Sequence, residues 1–249
     1  MLVLSLDTTT RAGSCALMRD GHVVREQASD PSRDQAERLP GEVAALLERE
    51  SVSLQDIDCF AVATGPGSFT GLRVGIATMQ GLAMAAGKPL VGVSAFDALA
   101  LLADSMEEGA GGLMRSRTGP PVGSLHTRGT APVAVWIDAW RGEVFAAMYE
   151  EGHVLEAPVV ARPEDLLARL KGQSRVFIGD GTTRYQELIR AVLGHAARLS
   201  RPAAPLLASA IAMLAGQAFR AGRCPPPHAI RPIYVNRGGV ERAMDAGRV

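Results

Sequence analysis

The sequence has no excess of charge of either sign. Its 249 residues include 26 lysines and arginines and 26 aspartates and glutamates, whereas proteins that bind nucleic acid unaided usually carry a basic excess. We therefore expect any contact with RNA to depend on a partner that supplies positive charge. The rest of the composition, 47% hydrophobic and 21% charged, is typical of a globular chain forming one large domain or two small ones.

Cysteines and membrane-spanning segments are also scarce. The three cysteines, Cys15, Cys59 and Cys224, form no CxxC pair, which favours buried reduced thiols over disulfides or metal ligands. The N-terminus has no basic region ahead of its short apolar run, unlike a signal peptide. Residues 202–219 carry no charge, but they are rich in alanine and contain proline and glycine. They predict a buried helix rather than a membrane span, and together these features predict a cytoplasmic protein without membrane association.

Histidine pairs that could share a metal ion are missing. No two of the histidines have the helical spacing at which both rings face one metal ion, so we expect each at the surface and predict no metal site. The five histidines are His22, His126, His153, His195 and His228.

The order of predicted elements occurs twice along the chain. In each half, three strands joined by tight turns precede alternating helices and strands. The first strand ends at Asp7 in one half and at Asp138 in the other, and the hairpin glycines Gly21 and Gly152 follow at the same distance. This repeat predicts an α/β chain of two ribonuclease-H-like lobes, the actin-like ATPase (ASKHA) fold.

Hydrophobic periodicity and turn residues set the expected boundaries. In the first half we predict a helix near residues 34–50, a strand over Cys59–Gly65 and a helix over Phe69–Ala86. In the second half we predict one strand over His153–Ala161, another over Val176–Gly181, and helices near Thr183–Leu193 and Pro205–Arg220.

A segment poor in large apolar residues separates the two halves. Residues 104–131 contain many glycines and a Pro120-Pro121 pair, so they cannot bury enough surface to offset the entropy of ordering them. We predict an N-terminal lobe over residues 1–103, a mobile insertion over 104–131, and a C-terminal lobe over 132–249.

Asp7, Thr8 and Thr9 are candidate nucleotide or phosphate ligands. In an actin-like fold the turn after the first strand faces the cleft between the lobes, where hydroxyls and backbone N–H groups can hold phosphate. The same residues would suit a simple strand-end turn capped by threonine side chains. The sequence leaves both interpretations open.

The most distinctive stretch is the glycine-rich segment between Gly65 and Gly75. A strand, a tight turn and a helix start can present backbone N–H groups to an anion, although no lysine follows as in a Walker loop. Gly71 and Gly75 leave a helix face with little side chain, which favours close packing against a neighbour. The anion-binding role stays open for Gly65 and Gly67.

At this segment the chain resembles a known family. Residues Ala61–Gly75 are similar to the signature of the TsaB (YeaZ) family. The segments Leu4–Thr9, Ile137–Val144 and Pro232–Val235 resemble other recurrent parts of that family. The resemblance extends over nearly the whole chain outside residues 104–131.

The resemblance implies a non-catalytic subunit of the bacterial machinery that makes threonylcarbamoyladenosine in tRNA. TsaB proteins are paralogues of TsaD, the transferase, which carries two metal-binding histidines after the strand that follows the glycine signature. Here Ala95 and Leu99 occupy those two positions, and neither can ligate a metal. We therefore expect no catalytic residue in this chain.

The resemblance also implies the partners. They are a TsaD-type transferase, a TsaE-type ATPase in the same complex, and tRNA through the complex alone. We expect no tightly bound cofactor, with ATP or ADP entering within the complex. A homodimer could form when TsaD is absent, because the two proteins share a fold. The chain departs from its family at Gln35, where a histidine is common.

Two helices of the first lobe are the expected partner surface, because the matching helices of TsaB pack against TsaD as a helical bundle. Whether their apolar residues face a partner or form internal core stays open. The candidate interface residues are Leu39, Val43, Leu46 and Leu47 on the first helix, and Gly71, Gly75, Ile76 and Met79 on the second.

Three other functional classes compete with this interpretation. An active ATPase or small-molecule kinase of the same fold would need phosphate-binding turns in both halves, and Trp140 would crowd the second one. A metallopeptidase is disfavoured by the absent histidine pair. A ribonuclease-H-type nuclease needs clustered carboxylates, and nothing in the sequence shows that Asp7, Asp97 and Asp138 converge.

Overall fold

The computed structural model of the chain describes residues 1–108 and 131–235. These residues form two compact units. Unit 1 comprises residues 1–98 and 206–233, and unit 2 comprises the other described residues.

Eleven strands and seven α-helices are assigned in the described ranges. The strands are β1 (Leu2–Asp7), β2 (Ser14–Arg19), β3 (His22–Ala28), β4 (Cys59–Gly65), β5 (Leu90–Ser94), β6 (Val133–Asp138), β7 (Val144–Glu150), β8 (His153–Val154), β9 (Val159–Ala161), β10 (Arg175–Ile178) and β11 (Ala197–Leu199). The helices are α1 (Gln35–Arg49), α2 (Phe69–Ala86), α3 (Ala95–Glu108), α4 (Pro163–Leu170), α5 (Asp180–Arg184), α6 (Gln186–Leu193) and α7 (Ala208–Arg220).

Both units contain a mixed sheet of the same strand order. Unit 1 has the order β3-β2-β1-β4-β5. Taken in the equivalent direction, unit 2 has β8-β7-β6-β10-β11, with β9 also pairing with β7. In each sheet the central strand, β1 or β6, has an antiparallel neighbour on one side and a parallel neighbour on the other. The strands that end at Asp7 and Asp138 are therefore equivalent, which confirms the predicted ribonuclease-H-like duplication.

The two hairpins repeat even in their backbone angles. Asp20 and Gly21 have φ values of 53° and 83°, and Glu151 and Gly152 have 49° and 74°. Consecutive left-handed residues of this kind form the tight turn that matches the twist of paired strands. The glycine at the second position accepts such a φ at little cost.

The core of unit 1 lies on both faces of its sheet. β1 is buried along its whole length, so alternate side chains enter opposite layers. Leu4 and Leu6 pack with buried residues of α1 and α2, whereas the Ser5 hydroxyl donates a 2.6 Å hydrogen bond to the Ala208 carbonyl at the start of α7. The uncharged segment that ends in α7 thus forms a buried helix, as predicted, and no helix of the described residues is long and apolar enough to cross a membrane.

The predicted lobe boundaries differ from this division. Residues 206–233 group with unit 1 rather than with the predicted lobe 132–249, because α7 packs on β1, β2 and β4. α3 continues to Glu108, into the predicted insertion of 104–131, where methionine and glutamate favour helix. The prediction of mobility for residues 109–130 lies outside the described residues.

Three local predictions in unit 2 need correction. The strand predicted over His153–Ala161 is two short strands, β8 and β9, because Pro158 cannot donate to a sheet ladder. The strand predicted over Val176–Gly181 ends at Ile178. The helix predicted near Thr183–Leu193 is two helices that meet at Tyr185, and β11 was not predicted from its three-residue sequence.

The cysteine and histidine predictions can be checked in the described ranges. All three cysteines are free, and Cys15 and Cys59 are buried; burial raises the pKa of these thiols to about 11 and about 12, respectively. His22, His153, His195 and His228 are exposed, as predicted, whereas His126 lies outside the described residues. Among the residues described, no group of three or more metal-ligating side chains forms.

Candidate functional site

The turn after β1 is closed by its own hydrogen bonds. The Asp7 carboxylate accepts a 2.8 Å hydrogen bond from the backbone N–H of Thr9, a common local turn of aspartate. Asp7, Thr8 and Thr9 are each at most 3% exposed. The predicted phosphate-binding residues therefore lie together, but in the interior of unit 1.

The small residues of α2 pack directly on this turn. A Cβ atom added at Gly75 would lie 2.2 Å from the Thr8 hydroxyl oxygen, and one at Gly71 would lie 2.4 Å from the Thr8 carbonyl oxygen. Contacts this short do not occur between real side chains, so only glycine permits this approach. The predicted packing role of Gly71 and Gly75 fits this geometry. Both glycines face the Thr8 turn, and Gly71 also faces the Gln35 side chain of the neighbouring helix α1.

The glycine turn before α2 has a similar role. The Ser68 N–H donates a 2.7 Å hydrogen bond to the Thr9 carbonyl, and a Cβ at Gly67 would lie 2.5 Å from that same oxygen. Gly65, with φ of 104°, faces the Leu72 side chain and the Ile233 carbonyl. The C-terminal segment is held there by the Ile233 N–H, which donates a 2.7 Å hydrogen bond to the Thr64 carbonyl.

Two side chains of α1 hold the rest of the turn. Gln35, where a histidine is common in the resembled family, donates a 2.9 Å hydrogen bond to the Thr10 carbonyl. Arg38 is 2% exposed; its guanidinium donates to the carbonyls of Arg11 and Ala12 at 3.0 and 2.8 Å and pairs with Glu42. Arg38 thus anchors residues 11–12 to α1, which the sequence analysis did not predict.

This packing encloses the side chain of Thr8. The Thr8 hydroxyl oxygen is buried and has no hydrogen-bond partner among the described residues, and Gly75 of α2 lies beside it. The candidate nucleotide role of Asp7, Thr8, Thr9, Gly65 and Gly67 stays a prediction.

The equivalent turn in unit 2 begins with the same hydrogen bond, but its residue Trp140 is exposed. The Asp138 carboxylate accepts a 3.1 Å hydrogen bond from the Trp140 N–H, in the same register as Asp7 and Thr9. Trp140, Arg141 and Gly142 then adopt φ values of 59°, 52° and 82°. Left-handed conformations at two consecutive non-glycine residues are strained, and Trp140 is 47% exposed.

A second carboxylate supports this turn from the first residue of α5. The Asp180 carboxylate accepts hydrogen bonds of 2.9 Å from the N–H groups of Asp138 and Gly181. Burial, with the neighbouring Asp138 charge, raises the pKa of Asp180, although its backbone hydrogen bonds act in the opposite direction. The Asp138 carboxylate is in turn paired with Arg184 at 2.8 Å.

The glycines beside Asp180 serve close packing within the sheet. A Cβ at Gly179 would lie 2.1 Å from the Trp136 carbonyl oxygen of β6, and one at Gly181 would lie 2.9 Å from it. The structure therefore agrees with a plain strand-to-helix turn at Val176–Gly181. Asp138 and Asp180 follow adjacent parallel strands, which is the signal that could have identified this pair in the sequence.

The predicted interface residues lie inside unit 1. The six apolar side chains are at most 8% exposed and belong to one core cluster, and Gly71 and Gly75 face Thr8. The internal-core interpretation is thus correct for these positions, because α1 and α2 cover the sheet with this side. The six side chains are Leu39, Val43, Leu46, Leu47, Ile76 and Met79.

The positions that correspond to the metal-binding histidines of TsaD are also interior. Ala95 is fully buried and Leu99 is 3% exposed. Both are apolar side chains with no ligating atom, so they contribute packing at these positions of α3.

Sheet order, duplicated turns and helix positions define a chain of the actin-like ATPase fold. The model of the TsaD family, tRNA N6-adenosine threonylcarbamoyltransferase, matches residues 20–111. The tRNA threonylcarbamoyladenosine biosynthesis protein TsaB of Escherichia coli is 33% identical over 73% of this chain and 71% of its own length. The Bacillus subtilis protein of the same name is 28% identical over 78% of this chain and 77% of its own length.

A solved structure extends the likeness to nearly the whole chain. YeaZ from Pseudomonas aeruginosa is 27% identical, with a TM-score of 0.69 over 94% of this chain and 99% of that one. The chain belongs to the TsaB (YeaZ) family.

Proposed function

We propose that this chain is the non-catalytic partner subunit of a TsaD-type threonylcarbamoyltransferase and acts in the synthesis of threonylcarbamoyladenosine in tRNA. The observation that carries the proposal is the filled Thr8 turn in a chain of the TsaB family. Gly71 and Gly75 bring α2 against the place where an active member of the fold would hold phosphate. The two positions of the catalytic histidines are occupied by buried Ala95 and Leu99.

The other components of the reaction would come from partners. A neutral chain has no general attraction for tRNA, so tRNA would be bound through the complex. The metal site would belong to the TsaD-type subunit. ATP or ADP would bind to other parts of the complex, including a TsaE-type ATPase, and the location would be the cytoplasm.

We assign the partner surface to the outward side of α1 and α2, since their inward side is core. Its large apolar residues, Phe69 and Met84, are 54% and 65% exposed, and the Arg73 guanidinium lies 3.8 Å from the centre of the Phe69 ring. Small side chains between them would let a partner helix approach closely. We call this set the α1–α2 outer face; it consists of Pro40, Gly41, Ala44, Ala45, Phe69, Arg73, Ala77, Gly81 and Met84.

Reconstitution tests the proposed role. The purified chain, a TsaD-type subunit, a TsaE-type ATPase, tRNA and a threonylcarbamoyl donor are combined with one component left out at a time. We expect modified adenosine only when both this chain and the TsaD-type subunit are present. Transfer by this chain without the TsaD-type subunit would refute a non-catalytic role.

Charged substitutions test the surface. Ala77→Glu and Ala44→Glu place a carboxylate on the α1–α2 outer face without entering the core, and Ala191→Glu is a matched control on an exposed position of α6. We expect the first two variants to keep the thermal stability of the parent and to lose at least tenfold in affinity for the TsaD-type subunit. Equal binding by all three variants would exclude this face, and loss of self-association alone would assign it to a homodimer instead.

A further inference from the structure

Unit 2 contains a cavity of about 150 Å³ that the proposed function does not use. It lies between β7, the segment that follows β8, and α4. Arg175, in its wall, is the first residue of β10, and the next residue pairs with Val133 at the start of β6. Asp138 is at the other end of β6, roughly 16 Å away along the strand, so the cavity and the Asp138 turn lie at opposite edges of the sheet.

The wall of the cavity is mostly apolar. Ala146 and Met148 of β7 and Leu166 and Leu170 of α4 line it. Leu166 and Leu170 are buried, which makes this part of the wall dry and rigid. A cavity of this size with apolar walls accepts ligands of about six to eight non-hydrogen atoms.

Arg175 brings an uncompensated positive charge to that wall. Its Nε and Nη1 atoms are buried and have no hydrogen-bond partner among the described residues, while Nη2 donates to the Gln173 side chain. No ion pair of Arg175 or Arg169 occurs in the described ranges. Buried donors of a charged group without partners are costly, and an anionic ligand that reaches Nη2 from the cavity would offset the unpaired charge of Arg175.

We propose that this cavity binds a small organic monoanion, a carboxylate that carries a short aliphatic chain. The carboxylate would accept a hydrogen bond from Nη2 of Arg175, a charge-assisted pairing that is about twice as strong as a neutral one. The aliphatic chain would lie against Ala146, Met148, Leu166 and Leu170. Such a combination of an apolar wall with a few converging polar groups is typical of small-molecule sites.

The charges at the rim favour a monoanion over a more highly charged ligand. Exposed Arg169 and exposed Glu156 both line the mouth, so their charges largely offset each other. Among the described residues that line the cavity, partly buried Arg175 is then the cation whose charge is not offset. A dianion such as phosphate would have one charge unpaired and would leave the apolar wall uncovered, so pentanoate is a better probe than phosphate.

Titration of the full-length protein with pentanoate, followed by ligand-observed NMR and by thermal unfolding, tests the proposal. We expect saturable binding with a dissociation constant on the order of 1 mM, as suits a ligand of this size, and a rise in melting temperature with concentration. Pentan-1-ol, which lacks the charge, and acetate, which lacks the chain, should each bind at least tenfold more weakly.

Substitutions test whether pentanoate binds in this cavity. Arg175→Gln should weaken pentanoate binding at least tenfold, whereas Arg190→Gln, which removes an exposed arginine of α6 outside the cavity, should leave it unchanged. Ala157→Phe, at the exposed mouth, should block entry without altering the core. Without ligand, Arg175→Gln should melt at the same temperature as the parent or higher, because it removes buried unpaired donors.

Each contrary result overturns the proposal. No saturable signal with pentanoate would exclude the ligand class. Equal binding of acetate and pentanoate would reduce the site to a simple anion contact, and stronger binding of phosphate would assign it to an inorganic ion. Unchanged binding by folded Arg175→Gln and Ala157→Phe variants would place the ligand elsewhere.

Discussion

The turn after β1 and the turn after β6 occupy the same place in two copies of one sheet and have opposite surroundings. Both begin with an aspartate that accepts a hydrogen bond from the N–H two residues later. The Thr8 turn is then covered by α2, whereas Trp140 in the other turn is half exposed. The difference shows that strand order fixes where a turn lies, and the glycines that follow decide what fills it.

The positions of the glycines explain why the two turns have different surroundings. In unit 1, Gly71 and Gly75 lie within α2, so their missing side chains bring the helix onto the turn itself. In unit 2, Gly179 and Gly181 face the Trp136 carbonyl inside the sheet. The close approach there joins β10 to β6 and leaves the Asp138 turn to be held by Asp180 and Arg184.

The largest expected effect is at Gly179. Gly179→Ala would bring Cβ to 2.1 Å from a backbone oxygen at a φ of 112°, so we expect a loss of about 4 kcal/mol in the free energy of unfolding from overpacking and backbone strain together. Gly172→Ala is the matched control, because Gly172 has φ of 77° and open space around it; we expect a loss of about 1 kcal/mol. Urea denaturation measures both, and equal losses would attribute the effect to backbone angle alone.

Substitutions in α2 test the closed turn of unit 1. Gly71→Ala and Gly75→Ala should each cost about 3 kcal/mol in the free energy of unfolding. Gly81→Ala, in the same helix with open space around it, should instead stabilise by about 0.5–1 kcal/mol.

A second substitution separates the two α2 positions. Thr8→Ala removes the hydroxyl and methyl that meet Gly75, so it should recover part of the loss caused by Gly75→Ala. It should not rescue Gly71→Ala, because that clash is with the Thr8 backbone oxygen. Equal rescue of both variants would contradict the packing derived for this turn.

Substitutions of Asp180 test how its charge and its hydrogen bonds affect the stability of the turn in unit 2. Asp180→Ala should cost about 2 kcal/mol, because the N–H groups of Asp138 and Gly181 lose their acceptor. Asp180→Asn keeps an acceptor oxygen and removes a buried charge near Asp138, so it should be at least as stable as the parent at pH 7.

The pH dependence of the Asp180→Asn variant follows from the raised pKa of Asp180. A carboxyl with a raised folded-state pKa lowers stability as pH rises from its unfolded value of about 3.9 through the folded value. The advantage of Asp180→Asn should therefore be full at neutral pH and vanish in acid. Thermal unfolding between about pH 3 and pH 8 measures it, and an advantage that grows in acid would contradict the assigned direction.

The smallest effect concerns a feature that both units share. The hydroxyl oxygens of Thr8 and Thr182 are buried without a partner among the described residues, so Thr8→Val and Thr182→Val should each stabilise by about 1 kcal/mol. ATP and ADP should leave the melting temperature of the parent chain unchanged. Destabilisation by Thr8→Val together with a nucleotide-dependent rise in the parent would restore the phosphate role of this turn.

The sequence by itself determined the repeated order of strands, the two hairpins and most bounds in unit 1. α2 and β4 have their predicted bounds, because the glycine turn between them marks the end of one and the start of the other locally. The family was also evident, since Ala61–Gly75 is a contiguous signature. Local sequence failed in unit 2 at β8, β9 and β11, where strands of two or three residues carry too little periodicity.

Only the tertiary structure decided which side of each element meets which neighbour. Leu39 and Met79 have the pattern of a partner surface and of a core alike, and the position of the sheet made them core. Thr8 and Gly67 have the composition of a phosphate loop, and the structure packs α2 closely on Thr8. Asp180, Arg184 and Arg38 acquired their roles from residues 27 to 46 positions away along the chain, because hydrogen bonds between distant segments depend on the packing of the whole unit.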